Sequence, residues 1–414
     1  IDPGFALAYL ELGRLHWGGL VGLRDAERSA AYLELAAEHR DRLGRKDRLR
    51  LEATQFEQQR QIARAIAPAS LCAVVKADAY GHGDIPVAEA AIRGGAEYLA
   101  VALVEEGVRL READVDVPIL VLSEPTLEEM DLIVRHGLTP TAYRSSFVDL
   151  LAAVAEHATT LPYPVHLKLD TGMHRVGAPP VEAFEIARKI EADDRLLLQG
   201  VYTHFPVADS DHGFTLRQNV ALERFVAALA EEGIVPRLIH AANTAASLDL
   251  EGTRHDLCRV GLGLYGLRPT PESGVDIDLR PAMSVVSHVA YTQRLPSGAR
   301  PSYGRTREHA GAHTVATVPI GYADGVPRSL STTGSVLIGG VRRPFAGTVT
   351  MDMVIVDMGD DEVEVGDEVV LLGSQGGEAI TAEEWADLLG TITWEVVCDF
   401  GPRLPRRYVG APGA

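Results

Sequence analysis

A chain of 414 residues with 46% hydrophobic content can bury a large core and reads as two or three domains. Its formal net charge of −19 leaves no basic excess to neutralise phosphates, so nucleic acid is excluded as an expected partner. No apolar run approaches the roughly 20 residues of a membrane-spanning helix, and the opening residues lack the basic-then-apolar pattern of a signal peptide. The cysteines, Cys72, Cys258 and Cys398, are odd in number and widely spaced. Buried free thiols in a cytoplasmic protein are the expectation.

In chain order, residues 1–50 carry two helical stretches, "DPGFALAYLELGRLHW" and "RDAERSAAYLELAAEHRDRL", with small and aromatic residues at helical spacing. They are similar to a single tetratricopeptide-like hairpin. One such repeat cannot bury its own face, so a helical extension packed on this chain or a partner is expected. Residues 51–275 alternate eight strand-like runs with amphipathic stretches. The runs are "CAVVKA", "YLAVAL", "PILVLS", "TPTAY", "VHLKLD", "LQGVYTHF", "RLIHAAN" and "LCRVGLGLYG". That alternation predicts a (β/α)8 TIM barrel. A doubly wound sheet is disfavoured, because no glycine-rich dinucleotide fingerprint follows the first run. Over residues 276–414 the text turns to strands split by glycines, among them "MSVVSHVAYTQRL", "HTVATVPIGYA" and "GDEVVLLGS". A C-terminal, mostly β domain closed by a short helix near "TAEEWADLLG" is expected.

Barrel active sites lie at the C-terminal ends of the strands. Lys76, Lys168, Arg175, His204, Asn243 and Arg259 all follow apolar runs at such ends. Any one of them alone reads as an ordinary rim or core group. Six together exceed what solubility needs. No metal-ligating set is read from the sequence.

The stretch "AVVKADAYGHG" resembles the pyridoxal-phosphate lysine motif of bacterial alanine racemases. The resemblance runs in the family's order through "VALVEEGVRLRE", "VHLKLDTGMHRVG", "YTHF", "RVGLGLYGLRP", "SYGRT", "PIGYADG" and "GTVTMDM". It implies a barrel that binds pyridoxal 5'-phosphate (PLP), a C-terminal β domain, and a homodimer with shared active sites. By resemblance, Lys76 holds the cofactor as a Schiff base and acts as acid or base on one substrate face. Tyr303 is the second base. Arg259 meets the pyridine nitrogen, and His204 connects that arginine towards the tyrosine. Tyr80, Thr244 and the backbone around Gly261 and Leu262 hold the phosphate, with Asn243 and Tyr322 also at the cofactor. Arg175 binds the substrate carboxylate, beside Met351 and Asp352. Lys168 matches a lysine that is carbamylated in many family members.

Some residues depart from the pattern. Thr244 stands where serine is usual, Pro206 where a small residue is common, and His174 where glycine is frequent. The family's opening strand is either replaced by "DRLRLE" or missing. The activity implied is interconversion of L- and D-alanine, supplying D-alanine for peptidoglycan. The alternatives are a racemase of different specificity, such as serine, and a catalytically degenerate body acting as an interaction protein. A barrel-type PLP decarboxylase is disfavoured, because its glycine triplet and late cysteine-aspartate motif are not seen.

Overall fold

The computed structural model describes residues 48–52 and 55–409. The expected helical hairpin of the first 50 residues falls almost wholly outside the described residues. The described chain forms two compact units. A barrel unit holds Arg50–Ser284, Gly390–Phe400 and the chain from Arg406 onward, and a β unit holds Val285–Leu389 and Gly401–Pro405.

The chain enters on strand β1 (Arg48–Glu52), which lies beside the last strand, β18 (Arg406–Val409), in the sheet order. The opening strand is therefore replaced by "RLRLE" and not missing. The barrel follows as β2 (Ser70–Val74), β3 (Ala96–Val101), β4 (Ile119–Val121), β5 (Thr139–Ala142), β6 (Tyr163–Lys168), β7 (Leu196–Tyr202), β8 (Leu238–His240) and β9 (Leu257–Val260). All eight match the strand-like runs of the sequence. The pairing is parallel in the order β8-β7-β6-β5-β4-β3-β2-β9. The seam between β8 and β9 is closed by Asp256 N–H to Ile239 O at 3.0 Å and Arg259 N–H to Ala242 O at 2.9 Å.

These strands read as continuous apolar runs because both faces of a parallel sheet are covered; in β2, four of the five residues are buried. The outer helices show the complementary pattern. The helix Pro180–Glu191 buries Ala183, Ile186, Ala187 and Ile190, an i, i+3, i+4, i+7 stripe, and starts with proline where no N–H partner is needed. The helix His212–Glu231 is capped by Asp211, whose carboxylate accepts Phe214 N–H at 2.8 Å.

In the β unit, "MSVVSHVAYTQRL" is not one strand. It breaks at Val289-Ala290 into β10 (Met283–His288) and β11 (Tyr291–Leu295), which join different sheets. Strands β11, β12 (His313–Val318) and β15 (Val354–Gly359) form one antiparallel sheet around Leu295, Val315 and Ala346. The other contains β13 (Ser335–Ile338), β14 (Val341–Pro344), β16 (Glu368–Gln375) and β17 (Glu378–Ile380), with β10 beside β16. The expected short helix is Ala382–Leu389, and a second one, Thr393–Cys398, belongs to the barrel unit. Among the described residues, no helix is long and apolar enough to cross a membrane.

Candidate active site

Lys76 begins an unusual turn. Ala77, Asp78, Ala79 and Tyr80 all take left-handed backbone conformations, with φ of 54°, 53°, 52° and 54°. Each costs about 1–2 kcal/mol for an L-residue with a Cβ, so such a turn survives only if its surroundings hold it. Three anchors do so. The Glu106 carboxylate accepts Ala77 N–H at 2.6 Å, together with Ala102 and Leu103 N–H at 2.8 and 3.0 Å. Arg406 donates to Gly81 O at 3.0 Å and pairs with Asp78 at 2.8 Å. Tyr408 donates its hydroxyl to His82 O at 3.0 Å. Gly83, at φ 94°, sits so close to that hydroxyl that a Cβ would lie 1.9 Å from it. This is why glycine is needed in "AYGHG".

The turn delivers Lys76 into a cavity of about 730 Å³ at the strand ends. Ten of the site residues expected from the sequence line it. Lys76, Tyr80 and Lys168 are there with Arg175 and His204, and the other wall carries Asn243, Thr244, Arg259, Gly261 and Leu262. Asn243 caps the short helix Thr244–Asp249 by accepting Ala246 N–H at 3.2 Å, and also donates to Phe205 O. Thr244 keeps the hydroxyl role of the more usual serine, accepting Gly261 N–H at 3.0 Å.

Among side chains, the resemblance joins Arg259 to His204; the fold adds further partners. Its side chain is buried inside the barrel, where it donates to Thr203 O at 2.7 Å, Ala241 O at 2.9 Å and His204 Nδ1 at 3.3 Å. A further donation, to His240 Nδ1 at 2.7 Å, starts a relay. Arginine only donates, so His240 must carry its proton on Nε2, which lies 2.8 Å from His166 Nδ1. His166 in turn carries its proton on Nε2 and donates to Gln199 at 3.1 Å. Burial and the arginine charge hold His204 and His240 well below the usual histidine range, and burial lowers His166 to about 4. All three are neutral near pH 7, as the relay requires. The side chain bonded most closely to Arg259 is thus His240, which the motif reading passed over; its signal was the inward histidine of "RLIHAAN".

The cations of the site act on one another. Burial, then Arg259, Arg175 and Lys76, bring Lys168 down to about 7. Burial and then Arg175 also lower Lys76, with Glu106 pulling the other way. His174 takes φ 55°, a conformation that favours glycine, and is held there by Asp170. That carboxylate accepts His174 N–H at 3.1 Å and lies 2.9 Å from its ring Nδ1. Arg175 can therefore follow a histidine in place of glycine. One expectation is corrected: Cys72 and Cys258 are buried free thiols, but Cys398 is exposed and lines the cavity, because it ends a helix laid over the barrel mouth.

Tyr303, Tyr322, Met351 and Asp352 lie in the β unit, and none lines this cavity. Backbone and side-chain bonds tie them into one rim: Thr348 Oγ1 donates to Tyr303 O at 2.8 Å, and Tyr322 N–H to Thr350 O at 3.0 Å. Asp352 pairs with Arg403 at 2.7 Å. Tyr303 is 71% exposed, and Tyr322 and Met351 are also exposed.

Residues 52–269 match the model of the alanine racemase N-terminal domain, and residues 282–408 that of the C-terminal domain. The chain belongs to the alanine racemase family. It is 40% identical to the alanine racemase of Synechocystis sp. over 355 residues, 84% of this chain and 94% of the relative. With that of Symbiobacterium thermophilum it shares 42% over 344 residues, covering 82% and 90%. Among solved structures it is similar to the alanine racemase of Streptomyces lavendulae, with a TM-score of 0.84, 33% identity, and coverage of 89% and 98%. The Bacillus anthracis alanine racemase with bound L-Ala-P gives 0.83, 33%, 88% and 95%.

Racemases of this family depend on PLP, and the cavity of this racemase fits it on two observations. Among the described residues, Arg259 Nε makes no hydrogen bond although both terminal nitrogens do, which leaves an open donor on a residue of the cavity wall. At Gly261 a Cβ would lie 2.5 Å from the Tyr80 hydroxyl. The missing side chain opens a cradle of hydroxyl and backbone N–H donors suited to a phosphate.

Proposed function

We propose that this alanine racemase interconverts L- and D-alanine with two bases on opposite faces of the substrate, and that it works as a homodimer with shared sites. PLP, once bound, delocalises the electron pair left when the α-proton is removed. In this reading Lys76 would hold the cofactor covalently and, once the substrate amine displaces it, its freed Nζ would take or return the α-proton on one face. Its depressed affinity for protons, caused by burial and Arg175, supports that role by enlarging the neutral fraction near pH 7. This is the observation on which the reading leans most.

Arg259 would hold the ring nitrogen through Nε. A guanidinium keeps its proton, so the ring nitrogen would stay largely unprotonated, and the His240–His166–Gln199 relay would keep the fork aimed. Tyr80, Thr244 and the backbone at Gly261 and Leu262 would take the phosphate. Arg175, a planar cation, would orient the substrate carboxylate. Tyr303 would serve the other face from the second chain, with Tyr322, Met351 and Asp352 around it. The exposure of these aromatic and methionine side chains on one connected rim supports a partner surface there. Three free cysteines support a reducing compartment, the cytoplasm, where D-alanine would feed peptidoglycan synthesis.

The test gives the PLP-loaded protein L-alanine and D-alanine separately and follows each by circular dichroism. Both signals are expected to decay to zero, and Lys76→Ala to abolish the decay. Unchanged enantiomers at full cofactor occupancy overturn the reading, and L-serine run in parallel measures breadth.

A further inference from the structure

Away from the barrel cavity, His309, His313 and Asp357 converge in the β unit. His313 opens β12, and Asp357 lies on the adjacent β15 opposite Val315, next to a break in register between Thr314 and Val315. His309 comes from the returning limb of the loop that carries Tyr303. Its backbone is pinned on both sides, donating to Ala299 O at 3.0 Å and accepting Gly298 N–H at 2.8 Å. His313 Nδ1 lies 2.9 Å from Asp357 Oδ1, and His309 Nδ1 lies 3.3 Å from Oδ2.

The proton positions follow from the neighbours. His309 Nε2 is 3.2 Å from Ala346 O, which can only accept, so Nε2 carries a hydrogen. A neutral His309 then turns its bare Nδ1 lone pair towards a carboxylate oxygen, inside a site where His309 is buried and Asp357 nearly so. Two lone pairs facing each other there are unfavourable. Something positive belongs between them. A second proton on His309 answers one contact. A divalent cation answers both imidazoles and the carboxylate at once.

We propose that His309, His313 and Asp357 bind a divalent transition-metal cation of the zinc type through the two Nδ1 atoms and a carboxylate oxygen. Two imidazoles and a carboxylate suit zinc, and half-buried His313 leaves a side open for water as fourth ligand. The supporting bonds are those that orient metal ligands: the Ala346 carbonyl on His309 Nε2, and Gly359 N–H on Asp357 Oδ1 at 3.0 Å. The candidate ligand atoms all lie within 4.8 Å of one another. Zinc bonds of about 2.0–2.2 Å place tetrahedral ligand atoms roughly 3.4 Å apart, so modest side-chain rotation closes the site. The ion would be structural. It would tie the limb after Tyr303 to the β12–β15 pair and take no part in proton transfer.

The test uses untagged, PLP-loaded protein freed of metal with a chelator, then titrated with Zn2+ by calorimetry and with Co2+ by visible absorption. One equivalent per chain is expected, with a rise of several degrees in melting temperature. Asp357→Asn and His309→Gln should each weaken binding at least tenfold. Because His309 is buried and its replacement can destabilise the unit, His313→Gln provides a second variant that should lose the metal while melting like the metal-free parent. No binding by the parent, or equal binding by His313→Gln and Asp357→Asn, overturns the proposal and leaves an imidazolium–carboxylate pair in its place.

Discussion

Lys168 shows how a single residue acquires a chemistry its type does not announce. In water a lysine amine is a cation up to about pH 10, but here burial and three neighbouring cations bring it to about 7. Depression of a lysine means that the folded chain binds fewer protons than the unfolded one between about 7 and the ordinary lysine value of 10.5. A cationic Lys168 therefore costs stability at low pH, and that cost fades as pH rises through this window. The neutral amine is also the nucleophile that adds to carbon dioxide, releasing one proton to solvent, and the resulting carbamate anion would sit well among Arg175, Arg259 and Lys76. We therefore expect carbamylation at Lys168 to increase as pH climbs through 7. Protein equilibrated with 13C-labelled bicarbonate should show a carbamate carbonyl resonance at pH 8 that fades on acidification and is missing in Lys168→Ala. A spectrum without that resonance at pH 8 would leave Lys168 as an unmodified, partly neutral amine.

At the scale of elements, the left-handed turn after β2 is where local preference and tertiary structure disagree most. "KADAY" has the composition of an ordinary right-handed turn, and nothing in it announces four positive φ values in a row. The anchors come from far along the chain: Glu106 from the helix Val104–Glu112 beyond β3, and Arg406 and Tyr408 from the last strand. Glu106 stands inside "VALVEEGVRLRE", so its motif was visible while its job was not. The eight barrel strands were legible because burial on both faces writes an apolar run that a single sequence displays. The ten cavity residues were legible from their strand-end places and motif matches. The Arg259–His240–His166–Gln199 relay was not, because it joins β6, β7, β8 and β9 across the barrel interior and has no spacing in one dimension. Replacing Glu106 with glutamine puts an amide NH2 against one of the three backbone N–H groups it accepts, costing about 1–3 kcal/mol of anchoring. It also removes the charge that raises Lys76. The expected outcomes are faster hydrogen exchange across Ala77–Gly83, turnover reduced at least tenfold, and, in PLP-free protein, acylation of Lys76 that begins at lower pH than in the parent. An unchanged exchange pattern would remove Glu106 from the support of the turn.

At the scale of the whole molecule, the proposed mechanism needs a proton donor on each face of a flat, bound substrate, and a barrel rim supplies side chains from one side. Lys76 belongs to the barrel unit, whereas Tyr303 stands exposed on the β unit, in a loop fastened through Thr348 to the segment that runs on into Met351 and Asp352. A catalytic phenol requires positive charge nearby to lower its proton affinity. A cationic cavity, such as the one around Lys76, Arg175 and Arg259, would supply that influence. If the cavity belongs to a second copy, two-fold symmetry makes both sites complete at once. Two inactive variants, Lys76→Ala and Tyr303→Phe, then form a decisive pair. A mixed dimer carries one site lacking both bases and one site with both. Random reassortment makes half of all dimers mixed, each with one working site of two, so mixing after reversible dissociation should restore about a quarter of wild-type activity. Confirmed mixed dimers without activity would mean that each chain completes its own site.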